Sequence, residues 1–214
     1  MIVKNRMTRN PITISPDTPV AEAQRIIRRE KIHRLPVLNK KKELVGIVTE
    51  KDLLYASPSP ATTLDIHEIT YLLSQLTVKK VMSTQVLTIP SDTVLEEAAR
   101  IMVDSDIGGL PIVDSGSLVG IITESDLFKV FMELFGARHS GLRVTILIPD
   151  KPGEISALGQ AITEKGGDII SLGTFLGTDA SNAVCTIKVQ GLAKDVLVEA
   201  LKPCSIEIID IREV

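Results

Sequence analysis

The sequence predicts an α+β protein: two copies of a β-α-β-β-α unit, followed by a small domain of ferredoxin-like β-α-β-β-α-β order. Three observations predict it. One phrase occurs twice: Gly46-Ile47-Val48-Thr49-Glu50-Lys51-Asp52 returns as Gly120-Ile121-Ile122-Thr123-Glu124-Ser125-Asp126. The likeness extends around it. Val3–Leu38 aligns with Val78–Val113 with 14 of 36 pairs identical, and Leu44–Leu53 aligns with Leu118–Leu127 with 8 of 10 identical. Two copies make a paired supersecondary unit, too few for a solenoid. From Gly141 the pattern changes to strands and helices that do not repeat the unit.

Within each copy, Ile12-Thr13-Ile14 or Leu87-Thr88-Ile89 reads as a first strand. Asp17-Thr18-Pro19 then opens a helix, with Thr18 as N-cap and Pro19 at the first helical position. In the second copy Thr93-Val94-Leu95-Glu96 reads as a capping box. Val20, Ala23, Ile26 and Ile27 share one helix face, as do Leu95, Ala98, Ile101 and Met102. Leu35–Leu38 and Leu110–Val113 are strands, each followed by a turn and by the repeated phrase as strand and helix. The expected domains are 1–56 and 78–136 for the copies and 141–214 for the tail. The segment 57–77 is a Ser/Pro-rich linker with a helix over Ile66–Leu76. The last helix of the second copy, about Ser125 to Phe135, ends at Gly136 and is apolar enough to be buried against a partner or the tail. In the tail, Leu142–Ile148, Ile169–Gly177, Asn182–Gln190 and Cys204–Arg212 read as strands, with helices from Glu154 to about Lys165 and over Ala193–Leu201.

Composition narrows the function classes. The 214 residues carry a net charge of −3, with 44% hydrophobic residues. No apolar run reaches the ~18 residues of a membrane span, and the start has no signal-peptide pattern, so the expected place is the cytoplasm. Cys185 and Cys204 fit no zinc or redox spacing, and His33, His67 and His139 are scattered, so no metal is expected. Residues 1–56 balance to +6 and the rest to −9. A basic first copy suits a phosphate-bearing ligand. Nucleic acid is not expected, because Trp is absent and aromatics are 3%.

The repeated phrase carries the candidate chemistry. A strand end facing a helix N-terminus presents free N–H groups and a positive dipole end. Thr49 and Thr123 can bind a phosphate or cap the helix; Asp52 and Asp126 can accept a ribose diol or complete the cap.

The repeat, with its Gly-h-h-Thr-x-x-Asp ending, resembles the CBS (cystathionine β-synthase) domain, and two in tandem resemble a Bateman module. The tail, with Asp150-x-Pro152-Gly153 before an apolar helix, resembles an ACT domain. The order CBS–CBS–ACT is similar to acetoin-utilisation AcuB-type proteins. The resemblance implies an adenine nucleotide (AMP, ADP or ATP) as regulatory ligand in a cleft between the copies, with no cofactor required and no catalytic residue. It implies Gly46, Thr49, Asp52, Thr88 and Pro111, and Gly120, Thr123, Asp126, Thr13, His33, Arg34 and Pro36, as nucleotide-binding positions. It also implies that one copy's motif meets the other copy's strand, which brings Arg34 near Thr123 and Asp126.

The copies differ where His33-Arg34 stands against Gly108-Gly109. Arg34 can neutralise a phosphate or be a solvated cation, whereas the glycines offer only backbone and room. Unequal sites follow, with the Arg34 site the better one. In the tail, the resemblance implies an amino-acid effector site at Asp150, Pro152 and Gly153, or dimerisation alone. The expected protein is a homodimeric ligand sensor acting on an unidentified regulated protein. The alternatives are a scaffold with empty clefts and an enzyme, the latter without any nucleophile set or P-loop in the sequence.

Overall fold

Residues 1–56 and 75–214 are described by the structure, a computed structural model, in two units, Met1–Leu127 and Phe128–Val214. The expected linker and the body of the helix expected over 66–76 lie outside the described residues.

In the first unit each copy closes an antiparallel hairpin. A two-residue strand β1 (Thr8–Arg9) and helix α1 (Val20–Glu30) precede β2 (Arg34–Leu38), β3 (Leu44–Thr49) and α2 (Glu50–Tyr55). The second copy has α3 (Leu95–Asp104), β4 (Gly109–Asp114), β5 (Ser117–Thr123) and α4 (Glu124–Leu134), the last running on into the second unit. Both hairpins carry a register shift at the same place, Val37/Leu38 and Ile112/Val113. Ile12–Ile14 and Leu87–Ile89 are not full strands. Only Ile14 and Ile89 pair, each by a parallel bridge to Val37 and Ile112.

The leading segments are exchanged between the copies. β1 belongs to the second copy's sheet, pairing Thr8 with Ile121 and Arg9 with Gly120. Reciprocally, Ser83 bridges Ile47 of the first. Val78 is wholly buried in the core formed by Val20, Ala23, Ile27, Leu35, Val37, Val48 and Leu53. The glycine of the repeated phrase follows from this exchange. A Cβ on Gly46 would lie 2.6 Å from Met82 Sδ and 3.1 Å from the Ser83 carbonyl, and one on Gly120 would collide with Met7. Truncating Val78 removes two methyl groups from a closed site. Val78→Ala is therefore expected to lower the stability of the first copy by about 2 kcal/mol in urea denaturation.

The expected N-caps are corrected for the same reason. The N-cap residues are Pro19 and Val94, neither with a side-chain cap. The free N–H groups of α1 and α3 are met instead by backbone of the exchanged segments, Val20 N to Leu76 O at 2.8 Å and Leu95 N to Met1 O at 3.1 Å. Thr18 and Thr93 turn back into the preceding turn, to Ser15 N and Pro90 O.

The second unit continues from α4 into β6 (Leu142–Pro149), α5 (Glu154–Glu164), β7 (Asp168–Leu176), β8 (Asn182–Gln190), α6 (Lys194–Leu201) and β9 (Glu207–Glu213). The sheet is antiparallel in the order β7-β8-β6-β9, the split β-α-β arrangement read from the sequence. The last strand starts at Glu207 because Lys202–Cys204 make a 3₁₀ turn. One sheet face is the core, with Val144, Ile146, Leu158, Ile162, Cys185, Ile187 and Leu197. Burial pushes the Cys185 thiol up to about 11, so it stays an unreactive thiol at neutral pH. On the other face Phe135 lies against Gly173, and Lys188 is buried beneath the turn that follows α4. That helix remains apolar on its surface: of the two covers expected, a partner or the tail, the tail leaves Phe128, Phe131 and Leu134 exposed in the single chain.

Candidate CBS-pair cleft

Both repeated phrases end in a closed Thr–Asp pair. Thr49 N and Oγ1 donate to Asp52 Oδ2 at 2.8 and 2.7 Å, and Asp52 N donates back to Thr49 Oγ1 at 3.2 Å, a reciprocal cap on α2. Thr123 N and Oγ1 donate to Asp126 Oδ2 at 3.1 and 2.8 Å. The reciprocal cap is complete in the first copy, and in the second the Asp126 carboxylate accepts twice from Thr123. The first cap does not exhaust the carboxylate at Asp52, because Thr49 uses only Oδ2 and Oδ1 keeps its acceptor capacity.

A cleft of about 660 Å³ gathers Thr49 and Asp52 with Ser83, Gln85, Val86 and Leu87 after the exchanged segment, and with Gly108, Gly109 and Pro111 of the second copy. Arg34 and Lys51 line it as well. A second cleft of about 850 Å³ shares Arg34, Thr49 and Gly108 but opens between the helices, past Gln24, Leu54 and Val103. Arg34 stands between the two.

The side chain of Arg34 explains the glycines opposite. Arg34 and Gly109 occupy the same position in the two copies, and here they meet. A Cβ on Gly109 would collide with Arg34 Nη1, and one on Gly108 would lie 2.7 Å from both Arg34 Nη2 and Glu124 Oε2. The room left by Gly108-Gly109 is thus filled by the guanidinium. Its Nε is buried without a hydrogen-bond partner among the described residues. Burial pulls the guanidinium below its ordinary pKa, and the carboxylate of Glu124 works in the opposite direction.

The other expected residues are placed as follows. Arg34, expected with Thr123 and Asp126, is paired across the hairpin with Thr49 and lines the Thr49–Asp52 cleft; its approach to the second phrase is at Glu124. Thr123 and Asp126 line neither of the two clefts, and Asp126 is 9% exposed. Thr13 and Thr88 are exposed outside both clefts, and Pro36 is buried. Gly46 and Gly120 are taken up by methionine contacts. His33 Nδ1 sits 2.9 Å from Glu50 Oε2, an exposed pair. Sequence reasoning passed over Glu50 and Glu124, although both copies keep Glu between Thr and Asp. It also passed over Gln85–Leu87, which only the exchange brings to the cleft. In the tail, Gly153 is the N-cap of α5 in a left-handed conformation with no side-chain cap, so Asp150 does not cap the helix. Its N–H bonds Ser181 O at 2.8 Å. Among the described residues no group of three His, Cys, Asp or Glu stands together as a metal site, and no helix is long and apolar enough to cross a membrane.

The family model for the CBS domain matches residues 3–59 and 78–133. The chain belongs to the CBS-domain family. A CBS domain-containing protein of Dictyostelium discoideum is 33% identical over 135 residues, 63% of this chain and 93% of the relative. Inosine-5′-monophosphate dehydrogenase of Staphylococcus haemolyticus is 31% identical over 81% of this chain, which spans only 33% of that enzyme. Among solved structures, a Vibrio cholerae protein assigned to acetoin utilization (AcuB) aligns with TM-score 0.53 and 30% identity, over 64% of this chain and 95% of its own. The CBS domain pair of protein MJ0100, in complex with 5′-methylthioadenosine and S-adenosyl-L-methionine, aligns with TM-score 0.52 and 26% identity, over 65% and 98%. CBSX2 in complex with AMP aligns with TM-score 0.50 and 31% identity, over 61% and 96%.

Proposed function

We propose that this CBS-pair protein is a non-catalytic regulator that senses an adenosine ligand in the Thr49–Asp52 cleft. The observation that carries the reading is the union of one copy's Thr–Asp pair with the other copy's Gly108–Pro111 strand around one cavity. Asp52 Oδ1 accepts the ribose hydroxyls, Arg34 and Lys51 face a phosphate, and Ile47, Val86, Leu87 and Ile107 hold the base between aliphatic side chains. The adenosine ligands bound by MJ0100 and CBSX2 support it. Duplication makes Thr123, Asp126 and Gly120, with Thr13, His33 and Pro36, the second candidate site.

The β-α-β-β-α-β tail is read as ACT-like, with the turn at Asp150, Pro152 and Gly153 as its effector position. Exposed Phe128, Phe131 and Leu134 support a homodimer. The likeness to AcuB supports a place in acetoin utilization. To transmit a signal, the ligand must favour one arrangement of the chain over another.

Isothermal titration with adenosine, 5′-methylthioadenosine and AMP tests the reading. The parent is expected to bind at least one of them, and Asp52→Ala to weaken it about tenfold through loss of the ribose bonds. A parent protein that binds none at millimolar concentration sinks the proposal and leaves a scaffold.

A further inference from the structure

We infer that Glu124 sets the charge class of the ligand, so that the cleft selects adenosine ligands with at most one phosphate over polyphosphate nucleotides. The inference rests on the adenosine reading above.

Each copy keeps a glutamate between the Thr and Asp of its phrase, and each glutamate faces one member of the adjacent His33-Arg34 pair. Glu50 Oε2 meets His33 Nδ1 at 2.9 Å. Glu124 Oε2 and Arg34 Nη2 converge on one point, each 2.7 Å from where a Gly108 Cβ would stand. The cations best placed for a phosphate therefore already have anionic neighbours.

The lining of the two clefts sharpens this. In the Thr49–Asp52 cleft Arg34 and Lys51 stand against Asp52 and Asp106, while Glu124, with Arg28 and Glu50, lines the larger cleft on the other side of Arg34, so Glu124 acts on the ligand through the arginine the two clefts share. The +6 balance of residues 1–56 lies mostly elsewhere, and neither cleft is basic. One phosphate can share Arg34 with Glu124. Each further phosphate adds negative charge near a fixed carboxylate, in a partly desolvated place where such repulsion is felt.

The test is calorimetric titration of the parent, Glu124→Gln and the tail variant Glu199→Gln with adenosine, AMP and Mg²⁺-free ATP at low salt. The parent is expected to bind AMP more tightly than ATP. Glu124→Gln is expected to tighten ATP on the order of tenfold, with adenosine unchanged. Glu199→Gln, which removes the same net charge from the second unit, is expected to change neither. A parent that holds ATP as tightly as AMP, or a Glu124→Gln protein whose ATP-to-adenosine ratio is unmoved, overturns the inference and leaves the adenosine reading standing. If neither protein binds any of the three, the adenosine reading itself fails, and this inference with it.

Discussion

Lys188→Met is expected to destabilise the second unit by about 3 kcal/mol. Lys188 lies on the central strand β8 and is only 5% exposed. Its Nζ donates to Gly136 O at 2.9 Å and to His139 O at 2.8 Å. Gly136 follows α4 with φ +56°, and its carbonyl also accepts from His139 N at 3.0 Å within the turn. The ammonium adds a second donor there and ties the turn to the sheet. Methionine fills most of the stem volume but donates nothing, so His139 O loses this donor and Gly136 O is left with His139 N alone. Urea denaturation, with hydrogen exchange followed at the Asn182–Gln190 amides, reads the loss. A change under about 0.5 kcal/mol means the turn is held by Phe135 on Gly173 rather than by the lysine.

Gly109→Val is expected to cost the first unit nearly as much, about 3 kcal/mol, for a purely steric reason. Gly109 is not in a left-handed conformation; what it lacks is space. A Cβ there would meet Arg34 Nη1, Arg34 Cζ at 2.9 Å and the Ile122 carbonyl at 2.9 Å. Two of those three obstacles belong to one side chain. In an Arg34→Ala background the cost of Gly109→Val is therefore expected to fall by at least 1 kcal/mol, a coupling that a double-mutant cycle measures. Additive losses would contradict the wedge of Arg34 into the glycine pair. The backbone obstacle at Ile122 keeps the rescue incomplete.

What the sequence revealed and what it concealed divide along one physical line. Periodicity reports contacts that recur along an element, so the hairpins, the apolar faces of α1 and α3 and the tail order were all legible. Val20, Ala23 and Ile27 are buried as their spacing predicts. The exchange of the leading segments was not legible, because it rests on one two-residue pairing, isolated bridges and the buried Val3 and Val78, with no period to read. The cap errors at Thr18 and Thr93 follow from it: capping chemistry assumes a free helix end, and here backbone from the other copy arrives first. The Arg34–Gly109 contrast was visible as a difference between copies. Its meaning was not, since nothing in one dimension says that equivalent positions face each other. The Thr–Asp pair was legible as a helix cap, and the structure holds it as one at Thr49 and Asp52.

The exchanged leading segments make each copy a plug for a slot it does not own. Residues 1–9 fill the second copy, and residues 77–83 fill the first. One copy alone would carry an empty slot beside β3 or β5 and a loose plug that fits it. Two such half-chains have everything needed to close on each other as a symmetric pair, and a tandem chain is that pair joined by a tether. In the joined form the two halves are free to diverge, so an arginine on one side can face a glycine on the other.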